Sequence, residues 1–112
     1  MIDHPNRASA ERLNMLSEEC AKVIQIISKI QRHGWSSYHP DDVSKTMNYH
    51  LLLKEIADVQ AVITGMVLNG DIALPDELIP ISEPSIEVWQ RKLKWTHHQN
   101  KEALLDPLDA LR

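Results

Sequence analysis

The sequence predicts an all-α fold, an antiparallel helical bundle, on three observations. Two aliphatic runs, Leu13 to Ile30 and Leu51 to Val67, repeat at helical rather than strand spacing. Only three glycines and no phenylalanine occur in 112 residues, and 43 % of the chain is hydrophobic, a composition ordinary for a helical globular protein. The remaining apolar stretch, between Asp71 and Pro84, contains three prolines, which remove the donors a strand pair needs.

Taken in order, residues Met1 to Ala8 are polar, and Pro5 and Asn6 mark a non-helical start. Ser9 is the expected N-cap of a first helix from about Ala10 to about His33, with Glu11 favourable to its dipole. Lys29, Arg32 and His33 suit its C-terminus, and Gly34 can supply a left-handed cap. A helix of roughly 23 residues spans about 35 Å, long enough to carry a second apolar face.

The stretch from Trp35 to Ser44 reads as a long loop closed to regular structure by Pro40. Trp35 and Tyr38 either stack on a nucleobase or cover a bundle end or subunit interface. A second helix is expected from about Thr46 to Asn48 through Leu68, ended by Asn69-Gly70. An irregular connection follows, and Ser85 is the expected cap of a third helix, Ile86 to about Trp95. Ile86, Trp89 and Leu93 share one face of it, with Arg91, Lys92 and Lys94 elsewhere. Lys92 and Lys94 either meet phosphates or form an exposed basic helix end.

His97 and His98 are adjacent rather than one helical turn apart, and read as surface residues. Residues 99–112 are weakly helical, interrupted by Pro107, and are expected to dock on a neighbouring subunit or to fray. The whole, residues 1–112, suits one domain, with a core over about 10–95 and a C-terminal tail over 96–112. No internal repeat, glycine-rich phosphate loop or zinc-ligand spacing occurs.

A formal net charge of −4 argues against a broad nucleic-acid surface but leaves room for a local phosphate pocket. The single Cys20 excludes an intrachain disulfide framework. Beside Glu19 it reads as a small core residue, since a nearby carboxylate disfavours the thiolate. No stretch has the pattern of a signal peptide or the ~20 apolar residues of a membrane span, so the expected compartment is the cytoplasm.

The chemistry concentrates in two acidic pairs set inside the aliphatic runs. On a helical wheel of roughly 100° per residue, Met15, Leu16, Val23, Ile26 and Ile30 fall within about 60° of Glu19. Leu51, Leu52, Val59, Val62 and Met66 surround Glu55 within the same roughly 60°. Both glutamates therefore sit on faces turned toward the core. At spacing i, i+3, Lys22 stands beside Glu19 and Asp58 beside Glu55. If the two faces pack, three carboxylates and one ammonium converge.

Buried carboxylates require a proton, a cationic partner or a metal. A hard divalent cation, Mg²⁺ or Mn²⁺ in its place, satisfies that need and joins carboxylates to substrate phosphates. An internal ion-pair cluster, with Lys22 as counter-ion to Glu19 and Asp58, satisfies it equally. The spacing leaves both open.

The text around these motifs carries a resemblance. Leu16-Ser17-Glu18-Glu19-Cys20-Ala21-Lys22-Val23-Ile24-Gln25, Ser28-Lys29-Ile30, the segment from His33 to Asp42, and Leu53-Lys54-Glu55-Ile56-Ala57-Asp58-Val59 together resemble the MazG-like all-α nucleoside triphosphate pyrophosphohydrolases, specifically their small single-domain bacterial and phage members. The similarity covers roughly residues 10 to 70.

That resemblance implies a bundle assembled as a homodimer or a dimer of dimers. It also implies cleavage of a nucleoside triphosphate between the α- and β-phosphates, to a monophosphate and pyrophosphate, with Mg²⁺ as cofactor. Carried over, Glu19, Glu55 and Asp58 are metal ligands and Glu18 orients water. Lys22 departs from the pattern, standing where the family carries a third glutamate. There it either repels the metal or contacts a phosphate itself. With Trp35, Tyr38, Lys92 and Lys94 it completes the expected nucleotide-binding set. The expected activity is a Mg²⁺-dependent pyrophosphohydrolase impaired by Lys22. The alternatives are a silent nucleotide-binding or sequestering protein of the same fold, and a structural bundle whose acidic patch is an ion-pair cluster.

Overall fold

The computed structural model describes residues 3–73 and 83–101. Within them the chain is all-helical: α1 (Arg7–His33), α2 (Asn48–Leu68) and α3 (Glu83–Lys92), the last running into a 3₁₀ turn (Leu93–Trp95). No strand occurs among the described residues. None of the described helices is long and apolar enough to cross a membrane. Most of the connection expected after α2, residues 74–82, and most of the expected tail, residues 102–112, lie outside the described residues.

α1 starts one turn earlier than predicted. Asn6, in extended backbone, accepts from the Ser9 N–H at 2.9 Å and is the N-cap; Ser9 lies inside the helix. At the other end Gly34 adopts φ +95° and donates to Ile30 O at 2.7 Å, a positive φ that a side chain would strain.

The loop to α2 is tied at both ends. Asn48 N–H donates to Ser37 O and Tyr49 N–H to Trp35 O, while the Asn48 side-chain amide donates to Gly34 O at 3.2 Å. Within the loop, the Asp42 carboxylate accepts from Ser44 N–H, from the Ser44 hydroxyl at 2.7 Å and from Thr46 N–H at 2.8 Å. The Ser44 hydroxyl first and the Thr46 amide second hold its pKa down to about 2.

The opposite end of α1 is clamped to the distal segments. The buried Arg12 guanidinium donates through both Nε and Nη2 to Asp71, just beyond α2, at 2.7 Å for Nη2 to Oδ1, and through Nη1 to Gln99. Neighbouring Glu11 accepts from the His97 and His98 N–H groups at 2.8 and 3.0 Å. Burial opposes the Glu11 charge, but these amides and the Gln99 side chain outweigh it and lower the carboxyl pKa. With Asn48 near Gly34 and Asp71 near Arg12, α1 and α2 run in opposite directions.

α3 packs across α2 where the backbone leaves room. Ile86, Trp89 and Val62 are essentially fully buried, joined by Ala61, Met66 and Leu93. A Cβ added at Gly65 would stand 2.4 Å from the Trp89 indole, so the bare glycine seats the ring. Ser85 lies inside α3, and its hydroxyl meets that of Thr64 at 3.0 Å; it does not cap the helix as predicted.

Cys20 is exposed rather than in the core. One residue past buried Glu19, it is rotated by about 100° off the packed stripe. The second apolar face expected on the first helix is present and uncovered, with Ile24 64 % exposed and Leu53 of α2 61 % exposed.

Candidate functional site

Glu19 of α1 and Glu55 and Asp58 of α2 come together as their spacing requires. One carboxylate oxygen of each lies within 4.8 Å of the other two. All three are largely withdrawn from solvent, with side chains 9, 14 and 16 % exposed. The i, i+3 step presents Glu55 and Asp58 on one face of α2, and the α1–α2 packing brings that face to Glu19.

Three ammonium groups surround them. Lys92 Nζ, at the end of α3, stands 3.2 Å from Glu19 Oε1 and 3.6 Å from Asp58 Oδ1. Lys54 reaches Asp58 Oδ2 at 3.2 Å and Glu55 Oε1 at 3.7 Å. Lys22 lies 3.5 Å from Glu19 Oε1. The hydrogen bond to Asp58, reinforced by the charges of Asp58, Glu55 and Glu19 against some burial, raises the Lys54 pKa.

Two sequence expectations change here. The counter-ion bridging Glu19 and Asp58 is Lys92, whose side chain is only 20 % exposed; Lys22 forms no ion pair with Asp58 among the described residues. Nor is Lys92 an exposed basic helix end; of Lys92 and Lys94, that description fits Lys94.

The cations leave part of the cluster unsatisfied. Among the described residues Glu19 Oε2 and Glu55 Oε2 are buried and have no hydrogen-bond partner. Orphaned carboxylate oxygens of this kind are costly in a protein interior. The all-oxygen donor set of Glu19, Glu55 and Asp58 fits a hard divalent cation such as Mg²⁺ or Mn²⁺, which keeps several waters beside a few carboxylates.

A cleft of about 290 Å³ opens beside the cluster, bounded by Met15, Glu18, Lys22, Lys92 and Trp95. Glu18 is exposed there rather than turned into the carboxylate triad. Trp95 is 75 % exposed, and Lys94 Nζ stands 5.0 Å from its ring centroid. Trp35 and Tyr38 are not brought to this place. About 22 Å of helix axis separates Glu19 from Gly34, where their loop begins. Tyr38 lines a different cleft, at the α1–α2 junction, and Trp35 is 62 % exposed.

Comparison of the chain with protein families, with curated proteins and with solved structures finds no match. The chemistry available to the site therefore rests on its own geometry.

Sequence reasoning passed over Lys54 and Trp95. Lys54 was legible as the i, i+4 partner of Asp58. Trp95, one turn beyond Lys92, lines the same cleft, a placement that depends on how α3 packs and not on spacing within it. Together these residues offer oxygen ligands, two ammonium groups bordering an open cleft, and an aromatic face within one cleft wall.

Proposed function

We propose that the protein is a Mg²⁺-dependent nucleoside triphosphate pyrophosphohydrolase, an all-α bundle of the MazG-like type that works as a homo-oligomer. The observation that carries the reading is the convergence of Glu19, Glu55 and Asp58 within 4.8 Å, with buried, unpartnered Oε2 atoms on both glutamates. Glu19, Glu55 and Asp58 would hold the metal, which supplies charge neutralisation of the triphosphate and a more acidic water.

The chain's own residues account for the rest. Lys22 and Lys92 border the cleft and present ammonium groups to phosphate oxygens. A water oxygen attacks the α-phosphorus and the bond to the α,β-bridging oxygen breaks. Pyrophosphate leaves, and the water's proton passes to a carboxylate of the cluster or to Glu18 at the cleft wall. Trp95 offers the aromatic face nearest these groups for a base. The uncovered aliphatic face of α1 and α2 supports self-association as the means of burying it.

A second reading has its own observation. Three lysines face three carboxylates, so the cluster is formally neutral without any metal. That balance favours a silent nucleotide-binding protein, or an internal ion-pair network that fixes the helices.

Pyrophosphate release from a panel of ribo- and deoxyribonucleoside triphosphates, with Mg²⁺ or Mn²⁺, separates these. Turnover that Glu55→Ala abolishes is the expected result. A silent native protein with a Lys22→Glu variant that gains turnover would make the chain a binder. Silence in both, without nucleotide binding, would leave the ion-pair network.

A further inference from the structure

The cleft at the α1–α2 junction, well away from Glu19, gathers a lysine, an arginine and two histidines. It holds about 280 Å³ and is walled by Lys29, Arg32, His33, Tyr38, His39 and Leu51, with no acidic side chain lining it. In a chain of net charge −4 such a concentration is not a consequence of overall composition.

Among the described residues, Lys29, Arg32 and His33 form no ion pair or side-chain hydrogen bond. His39 Nδ1 accepts from Asp41 N–H at 3.1 Å, which leaves its Nε2–H as a donor; the Asp41 carboxylate, 3.9 Å from Nδ1, is 92 % exposed. Favourable interaction with the end of α1 explains cations on the last turn. It does not explain their convergence with His39 and the Tyr38 ring around a concavity that the braced loop holds open.

The first N–H groups of α2 are already bonded to Ser37 and Trp35 carbonyls, so side chains would do the binding. An arginine fork, an ammonium and two imidazoles match the oxygens of a phosphoryl group. The Tyr38 ring and Leu51 supply an apolar wall on one side. Lys29 and Arg32 lie ten and thirteen residues beyond Glu19, about 15 to 20 Å along α1. No residue lines both this cleft and the one beside Glu19.

We propose that this cleft is an anion site for a small phosphorylated organic molecule, distinct from the acidic centre. The shared chemistry is a phosphoryl group, carried by a nucleoside monophosphate or present as free pyrophosphate. The site is independent of whether the acidic centre is catalytic.

The test is calorimetric titration of the full chain with adenosine 5′-monophosphate, inorganic pyrophosphate and adenosine, in EDTA so that no divalent metal engages the carboxylates. The expected result is saturable binding of one or both phosphorylated probes and none of adenosine. Arg32→Gln and Lys29→Gln each weaken it about tenfold, the loss of one charge-assisted hydrogen bond. Arg7→Gln, at the far end of α1, and Lys22→Gln, at the acidic cleft, leave it unchanged. Both cleft positions are exposed, so the variants keep the native melting temperature. Absence of binding would overturn the proposal. So would equal affinity for adenosine, equal weakening by Arg7→Gln, or loss in Lys22→Gln, which would put the probe in the acidic centre.

Discussion

Lys92 Nζ stands 3.2 Å from Glu19 Oε1, so an ammonium from α3 already neutralises part of the carboxylate cluster that would hold a divalent cation. Metal and lysine compete to neutralise the same carboxylate charge, although Glu19 Oε2 and Glu55 Oε2 have no lysine partner. In Lys92→Gln the cluster gains one unit of negative charge at a partly buried site, and free Mn²⁺ binding without nucleotide strengthens by at least about tenfold. Electron paramagnetic resonance of Mn²⁺ measures this directly. Without metal the same variant melts at a lower temperature, because Glu19 has lost its closest counter-ion, and Mn²⁺ recovers the difference. Unchanged Mn²⁺ affinity would remove the competition.

Gly65→Ala is expected to destabilise the fold. Alanine gains roughly 1 kcal/mol of helix propensity over glycine. Its Cβ, however, would meet the Trp89 indole at 2.4 to 2.6 Å, and forced overpacking costs about 1 to 3 kcal/mol. Denaturant unfolding of the single variant, and of Gly65→Ala with Trp89→Leu, checks the cause. The second substitution removes the clash, so the alanine penalty shrinks or reverses in that background.

Asp42 gives the junction loop an acid-sensitive brace. Its pKa falls from the usual 3.8 to about 2 in the folded protein, so its contribution is fully present above pH 3.8 and is lost as pH falls from there toward 2. Carboxyl-carbon NMR should follow that titration, with the Ser44 and Thr46 amides shifting over the same range. Asp42→Asn should remove the pH dependence of those amides. A carboxyl titrating near 3.8 would contradict the bonding pattern.

The helices and the acidic cluster were legible because both follow from periodicity. The stripe centred on Glu19 and the one centred on Glu55 name the faces that pack, and the residues between them arrive together. Asn6 was misread because capping depends on whether a side chain can curl back to the third amide, and Ser9 offers the same chemistry three residues later. Lys92 was hidden for a different reason. Its role depends on the angle at which α3 crosses α2, fixed by the Gly65–Trp89 contact, and no spacing within α3 encodes that angle. Cys20 shows the limit of neighbour arguments: adjacency to buried Glu19 along the chain turns it away from the core.

The source of that third ammonium also bears on the order in which the chain can fold. Lys22 and Lys54 travel with α1 and α2, but Lys92 follows 34 residues after Asp58. A helical hairpin formed by the nascent N-terminal portion would bring three carboxylates to two ammonium groups across its own seam, with Glu19 short of its nearest cation. α3 also brings the indole that fills the space above Gly65. The hairpin is therefore electrostatically strained and incompletely packed until the last helix is available. Closure of α1 on α2 and docking of α3 are thus energetically coupled, each stabilising the other.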